Sequence, residues 1–309
     1  CRSQLIRKSS PLSYFLRYAT HGDVRQALEF FKGFLTSGYT NINEMSPYPD
    51  WVFQVHQVVK PMMIPNRFFY DEKSSKIPNL FQLRNDTDSS HFTGLRIMNY
   101  LHNKIGDKSS NGFVDIKYII HFFDVNYDSK EDCIAHLNLY LEKGLVEANN
   151  RLEKFSEDVN QIKITALGNY IYEYLAFNFA YIDLVCLDSG IFNEELNNYF
   201  VKSAEEELKF YYNRDFMSRI EIRINRARRF VAYLNELEQQ EFLVALSGSF
   251  DVILNDGKID KKVTDKELVK RIVDIKRDLF LYANDDIFRK FIEWSIKTKN
   301  EDNKTEPKG

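Results

Sequence analysis

The stretch that most constrains this chain lies between His91 and Asp183, where the hydrophobic pattern changes from helical to strand-like and back. Phe92, Leu95, Met98 and Leu101 recur at helical spacing and define one face. A second helix is predicted after Asp115, from Ile116, Ile119, Ile120 and Phe123, and a third opens at Ser129. Two short strands, Leu145 to Asn149 and Gln161 to Thr165, flank the polar segment Asn150 to Asn160. A closing helix is expected from Ala166 through Tyr170, Tyr174 and Leu175.

The ends of the third helix are locally encoded. Ser129 with Asp132 three residues on has the form of a capping box, in which hydroxyl and carboxylate serve unpaired backbone donors. At the other end Gly144 follows Lys143, placing the residue most tolerant of a left-handed conformation after a cation suited to a helix C-terminus. Three helices and a two-stranded wing in this order resemble a winged helix-turn-helix, whose third helix enters a major groove. The charges argue against that use. Lys130 and Lys143 face Glu131, Asp132 and Glu142, whereas nucleic-acid affinity depends on neutralising phosphates. Packing or protein contact is the expected role, and Arg151, Lys154 and Lys163 keep DNA contact open through the wing.

The first segment carries a second motif, Thr20-His21-Gly22-Asp23-Val24-Arg25-Gln26-Ala27-Leu28. Val24, Ala27, Leu28, Phe31, Phe34 and Leu35 predict a helix with one broad apolar face, and Arg25 falls in its first turn. Backbone amides at a helix start beside a guanidinium suit phosphate oxygens. The string Gly22 to Leu28 resembles the sensor 2 motif in the helical lid of AAA+ ATPases, including the initiator-like and STAND branches. In that family a winged helix commonly follows the lid. The resemblance implies that Arg25 senses nucleotide by reaching the terminal phosphate of ATP held on a separate core. It also implies that ATP and magnesium enter only with that core, since the chain has no G-x-x-x-x-G-K-[ST] loop. More loosely, Lys76-Ile77-Pro78-Asn79-Leu80-Phe81 and Ile164 to Tyr170 resemble segments of large bacterial P-loop proteins, some implicated in defence against phage.

Between these parts, Trp51 to Val59 reads as an amphipathic helix disturbed after Lys60 by Pro61, with a strand as the alternative because the run is valine-rich, and Pro65 to Ser90 as a connector. After Asp183 the chain turns strongly helical. Phe216, Ile220, Ile224, Ala227, Val231 and Leu234 predict a long helix with a narrow buried seam. Arg214, Arg219, Arg223, Arg226, Arg228 and Arg229 are assigned to its polar side, either as ion-paired surface or as a contact for nucleic acid or an acidic partner. Thr264 and Glu267 form another capping-box pattern.

The expected architecture is therefore mainly α: a helical lid-like segment and connector over 1–90, a winged helix over 91–183, a helical bundle over 184–298 and a disordered tail over 299–309. With 309 residues, 44% hydrophobic and 28% charged, the chain can bury two or three cores. Its net charge of −3 gives no bulk attraction to nucleic acid or anionic membrane. No apolar run reaches about 18 residues, so no membrane partner is expected. Cys1, Cys133 and Cys186 have neither disulfide nor zinc spacing and fit a reducing cytoplasm. A chain that begins at Cys1 is read as a piece of a longer protein.

No catalytic group is assigned. The six histidines are scattered without a H-E-x-x-H helix, and Ser247-Gly248-Ser249 lacks the glycines of a nucleophile elbow. Asn255-Asp256-Gly257 fails the calcium-loop register and reads as a turn. The expected activity is non-catalytic: a regulatory and interaction portion of an AAA+/STAND-like ATPase, with an ATPase core or another protein as partner. A stand-alone winged-helix DNA-binding protein is the alternative. Self-association through the late helices stays open.

Overall fold

The computed structural model describes residues 24–36, 55–64, 68–84, 89–127, 129–150 and 159–247. It also describes positions 13, 15–17, 20 and 152 and the strand residues 252–253 and 259–260. The protein is mainly helical with a small three-stranded antiparallel sheet. It divides into two compact units, one of residues 1–176 and 180–205, the other of residues 177–179 and 206–309. Residue 90 lies within the first.

The first unit opens with α1 (Val24–Thr36) and α2 (Val55–Met63). α1 is anchored through Phe30 and Phe34, while Val24 and Leu28 are 70% and 63% exposed, so the expected broad apolar face is rotated toward Phe30. The reason is tertiary: Phe15 meets Phe30 edge-on at 5.9 Å, and the Lys76 ammonium lies 4.6 Å from the same ring. Nor does Pro61 end α2. It sits in the last turn, where it removes one backbone donor, and burial of Met62 and Met63 carries the helix through.

The expected helical faces of the next stretch are largely buried, with Ile120 half-buried and Tyr174 64% exposed. α3 (Thr93–His102) buries Leu95, Met98 and Leu101 beside Phe92. A strand that the pattern did not reveal, β1 (Val114–Asp115), precedes α4 (Ile116–Tyr127), because two residues are too few to show alternation. After α5 (Lys130–Glu142) come β2 (Val146–Ala148) and β3 (Gln161–Ile164). β3 lies between β1 and β2, antiparallel to both, with Val114 and Ala148 each opposite Ile162. The Ser129–Asp132 capping box does not form. Ser129 makes no side-chain cap, because the Asp132 carboxylate is turned inward to the Ser89 hydroxyl and the His136 ring. Gly144 does adopt the left-handed conformation, with φ +71°.

The closing helix begins with a local device. Thr165 accepts from Gly168 N at 3.1 Å, capping α6 (Ala166–Tyr170), and donates to the Gly144 carbonyl at 2.7 Å. That tie draws the helix onto the turn after α5, so closely that a Cβ at Gly168 would meet the Leu145 carbonyl oxygen. The helix then widens into one π turn, Ile171–Leu175, in which Ala176 N bonds Ile171 O at 2.8 Å. The first unit is completed by α7 (Phe179–Val185), apart from Phe179, and by the start of α8 (Glu194–Tyr212).

In the second unit the end of α8 turns through Asn213, Arg214 and Asp215 into α9 (Phe216–Ser247). Arg214 takes φ 58°, and Asp215 caps α9 by accepting from Ser218 N at 3.1 Å and Ser218 Oγ at 2.7 Å. The buried seam of α9 differs from the expected one. Ala227, Val231 and Leu234 are buried, but Phe216 is 63% exposed, and Arg226, Phe230 and Tyr233 are buried with them. A two-stranded antiparallel ladder, β4 (Val252–Ile253) with β5 (Ile259–Asp260), brackets the expected turn at Asn255 to Gly257, which itself lies outside the described residues. The Thr264 pattern and the tail also lie outside them.

Close packing of α3 on α5 rests on Gly94, where an added Cβ would collide with the Tyr140 hydroxyl and lie 2.7 Å from the Leu80 carbonyl oxygen. Gly94→Ala should lower unfolding free energy by about 1–3 kcal/mol in denaturant titrations. Gly33→Ala, whose Cβ would meet nothing within 4 Å, should be neutral or slightly stabilising.

Candidate functional site

The residues expected to bind or sense a ligand fall into three separate places. Arg25 stands on the outer side of α1 with its side chain 90% exposed, its Nε 3.7 Å from Glu29 Oε1. Gly22 and Asp23, which would complete the helix-start environment, lie outside the described residues. Val24 and Leu28 extend this open face, so a guanidinium and two aliphatic side chains share the N-terminal half of one helix.

The second place is α5 with the strands after it. α5 buries Asp132, Cys133, His136, Leu137, Tyr140 and Leu141, and exposes Lys130, Glu131, Asn138 and Glu142. Its C-terminal cation is drawn inward: Lys143 Nζ donates to the carbonyls of Glu72 at 3.2 Å and Ser75 at 2.8 Å. Lys163 is engaged by Glu147 across the strand pair at 2.9 Å and lies 4.6 Å from the Phe113 ring centre. Arg151 and Lys154 lie outside the described residues.

The third place is the arginine run of α9, which does not line a uniformly polar side. Arg219, Arg223 and Arg226 converge on Glu207 of α8 at 3.7, 3.8 and 2.9 Å. Arg226 and Glu207 are both buried. Steps of four and three residues stack these guanidiniums on one helix face, and a single buried carboxylate turns that face toward α8. Arg228 and Arg229 are exposed.

The structure also contains a polar junction that no sequence spacing announced. Residues 70–84 pack against α5 and α7 without regular secondary structure. Arg84 grips Glu72 with two bonds, 2.9 and 2.7 Å, and Asn79 N donates to the same carboxylate at 3.1 Å. Burial opposes ionisation of Glu72, but these bonds and the Arg84 charge hold its carboxyl below the usual range. The Tyr181 hydroxyl accepts from Leu80 N and donates to Pro78 O, both at 2.8 Å, and its burial pushes its ionisation upward. Asp132 is likewise opposed by burial yet held below the usual range by His136, Thr93 and Ser89. Asp188 is the exception: burial and the nearby Glu72 charge push it up to about 6. The only sequence trace of this junction is the Lys76 to Phe81 string, whose Asn79 bonds Ser189 at 3.0 Å and Val185 O at 3.3 Å.

A smaller cluster joins the end of α3 to the π turn. His102 Nδ1 and Asn169 Oδ1 are 2.6 Å apart, Asn169 Nδ2 donates to Glu173 Oε2 at 2.9 Å, and His102 Nε2 lies 3.7 Å from Glu173 Oε1. Among the described residues no group of three or more His, Cys, Asp or Glu could hold a metal ion. Arg25 and Glu29 do not by themselves make a nucleotide site. No helix among the described residues is long and apolar enough to cross a membrane.

Two measurements follow from these charges. Glu207→Gln removes the carboxylate shared by three guanidiniums and should destabilise the second unit by about 3 kcal/mol in chemical denaturation, more than Arg219→Met. At Asp188 the folded state holds its proton more tightly than the unfolded chain, so stability falls as pH rises from about 4 to about 6 and stays lower above. Asp188→Asn should therefore raise the melting temperature at neutral pH and leave it nearly unchanged near pH 4. The gain is about 1 kcal/mol, because solvent screens this partly exposed group.

No protein-family profile, curated protein or solved structure matches this chain.

Proposed function

We propose that this chain is the non-catalytic regulatory and interaction portion of an AAA+/STAND-like ATPase, in which a lid helix couples nucleotide state to a winged-helix module. The observation that carries the reading is the open face of α1: Arg25 is 90% exposed beside exposed Val24 and Leu28, while Phe30 and Phe34 fasten the same helix to the first unit. A cation and aliphatic surface held on an anchored helix suit contact with a nucleotide-bearing partner. ATP and magnesium belong to that partner. The element order from α3 to β3, with β3 central in the sheet, supports a winged helix over this stretch. The loose resemblance of Lys76 to Phe81 and of Ile164 to Tyr170 to segments of bacterial P-loop proteins, some implicated in defence against phage, gives its wider context.

Protein contact is favoured over duplex binding by the charge of α5. Its exposed side presents Glu131 and Glu142 with Lys130, and Lys143 is committed to backbone carbonyls. Exposed Arg228 and Arg229 on α9 favour the second reading, a stand-alone DNA-binding protein. Duplex binding that weakens steeply with salt and is lost on neutralising these two arginines would support it.

The leading reading is tested in an assembly containing the P-loop core. Arg25→Ala should reduce ATP-dependent switching at least about tenfold, measured as hydrolysis and nucleotide-dependent assembly. Circular dichroism of the variant should be unchanged, since the side chain is solvent-facing. Hydrolysis and assembly equal to wild type would reject a sensing role.

A further inference from the structure

The turn between α8 and α9 gathers side chains that the fold leaves outside. α8 stops at Tyr212, where the amides of Asn213, Arg214 and Asp215 bond the carbonyls of Lys209, Tyr211 and Phe210 at 3.0, 3.2 and 2.9 Å. Arg214 takes φ 58° and Asp215 caps α9 through Ser218, so the chain re-enters a helix after three residues. Tyr212 and Phe216 are 77% and 63% exposed, and Tyr211 and Met217 on either side of them are exposed as well. Neighbours therefore cover little of these large side chains. The Tyr211 and Tyr212 rings meet edge-on at 5.6 Å, and Arg219 lies 4.9 Å from the Tyr211 ring, which braces the aromatic side of the turn.

The charges at the turn have one dominant sign. Between Glu207 and Glu221 the charged residues are Lys209, Arg214, Asp215 and Arg219. Lys209 and Arg214 are exposed, whereas the Asp215 carboxylate is engaged by Ser218 N and Oγ. We propose that this tip docks on the surface of an anionic lipid bilayer, with Tyr212, Phe216 and Met217 entering the interfacial layer and Lys209 and Arg214 meeting acidic headgroups.

Aromatic side chains beside lysine and arginine are the composition that the bilayer interface takes up, because each ring has an apolar body and each cation finds a headgroup. The net charge of −3 gives the chain no general attraction to such a surface, so the hold is local to the tip. Other occupants match it less closely. A second copy docked about a twofold axis would set Lys209 and Arg214 against those of its partner. Nucleic acid would gain two cations but nothing from Phe216 and Met217. A protein would have to supply the whole pocket, since apolar side chains projecting from a turn form none of their own. The contact is peripheral, as no helix among the described residues is long and apolar enough to cross a membrane. The tip belongs to the second unit and stands apart from the reading of Arg25 on α1.

The test is co-sedimentation of the whole chain with vesicles of phosphatidylcholine, alone or with about 30% phosphatidylserine. Wild type should bind the acidic vesicles with half-saturation at about 0.1–1 mM accessible lipid, and the neutral vesicles at least about tenfold more weakly. Phe216→Ser combined with Met217→Ser should weaken binding at least about tenfold. Arg214→Gly removes a cation at a backbone conformation that glycine adopts readily, and should weaken binding to acidic vesicles about fivefold. Lys209→Gln should do the same and gives the reading should Arg214→Gly alter the fold by circular dichroism. Salt at about 0.5 M should remove the preference for acidic lipid. Absence of binding to acidic vesicles up to about 5 mM lipid, or equal binding by wild type and the Phe216 and Met217 double variant, overturns the proposal in favour of a protein partner. A dimer in sedimentation velocity that the double variant loses, with vesicle binding unchanged, overturns it in favour of a second copy.

Discussion

A buried segment without helix or strand must have its backbone groups satisfied by side chains, and residues 70–84 are held under that constraint. Burial of an unpaired amide or carbonyl costs as much as a lost hydrogen bond, so every such group needs a designated partner. Here Glu72 serves Asn79 N, the Asn79 side chain serves Phe81 N, and Ser75 serves Ile77 N. Tyr181 serves both Leu80 N and Pro78 O, and the His91 ring meets Phe81 O at 2.7 Å. Arg84 fixes Glu72 in place, and Lys143 caps the carbonyls of Glu72 and Ser75. Leu80 and Phe81 can therefore be fully buried, and α3, α5 and α7 are assembled around them.

This assembly bears directly on function. A helix at the position of α5 can reach into a groove only if one side is open and cationic. In this protein the inner side of α5 is committed to the junction through His136, Tyr140 and Lys143, and the outer side carries two glutamates. The α1 face is the reverse case, with its aromatic ridge buried and its guanidinium and aliphatic side chains left to solvent. The two surfaces together support the proposal of a module that contacts other proteins.

The second unit uses charge for cohesion. One carboxylate facing three guanidiniums is an arrangement in which removal of the central group leaves one buried and two half-buried cations poorly compensated. The same residue types that suggest a nucleic-acid surface in sequence thus act inside the α8–α9 hairpin. At the π turn histidine, amide and carboxylate meet instead: Asn169 Nδ2 donates to Glu173, and its Oδ1 lies 2.6 Å from His102 Nδ1.

The sequence by itself determined what depends on neighbours in the chain. The buried faces of α3 and α4, the glycine stop at Gly144 and the two strands around the polar segment follow from periodicity and local backbone chemistry. Tertiary structure decided whatever depends on a partner remote in sequence. The Ser129 capping box yielded to Asp132 turning toward Ser89 and His136, and Arg219, Arg223 and Arg226 of α9 turned toward Glu207, which lies opposite. Phe30 replaced Val24 and Leu28 as an anchor of α1 because Phe15 and Lys76 meet it. His102 and Glu173 carry no motif, being 71 positions apart, and only the packing of α3 against the π turn brings them together. Spacing encodes which side chains share a face, but the identity of what that face meets is fixed by the fold.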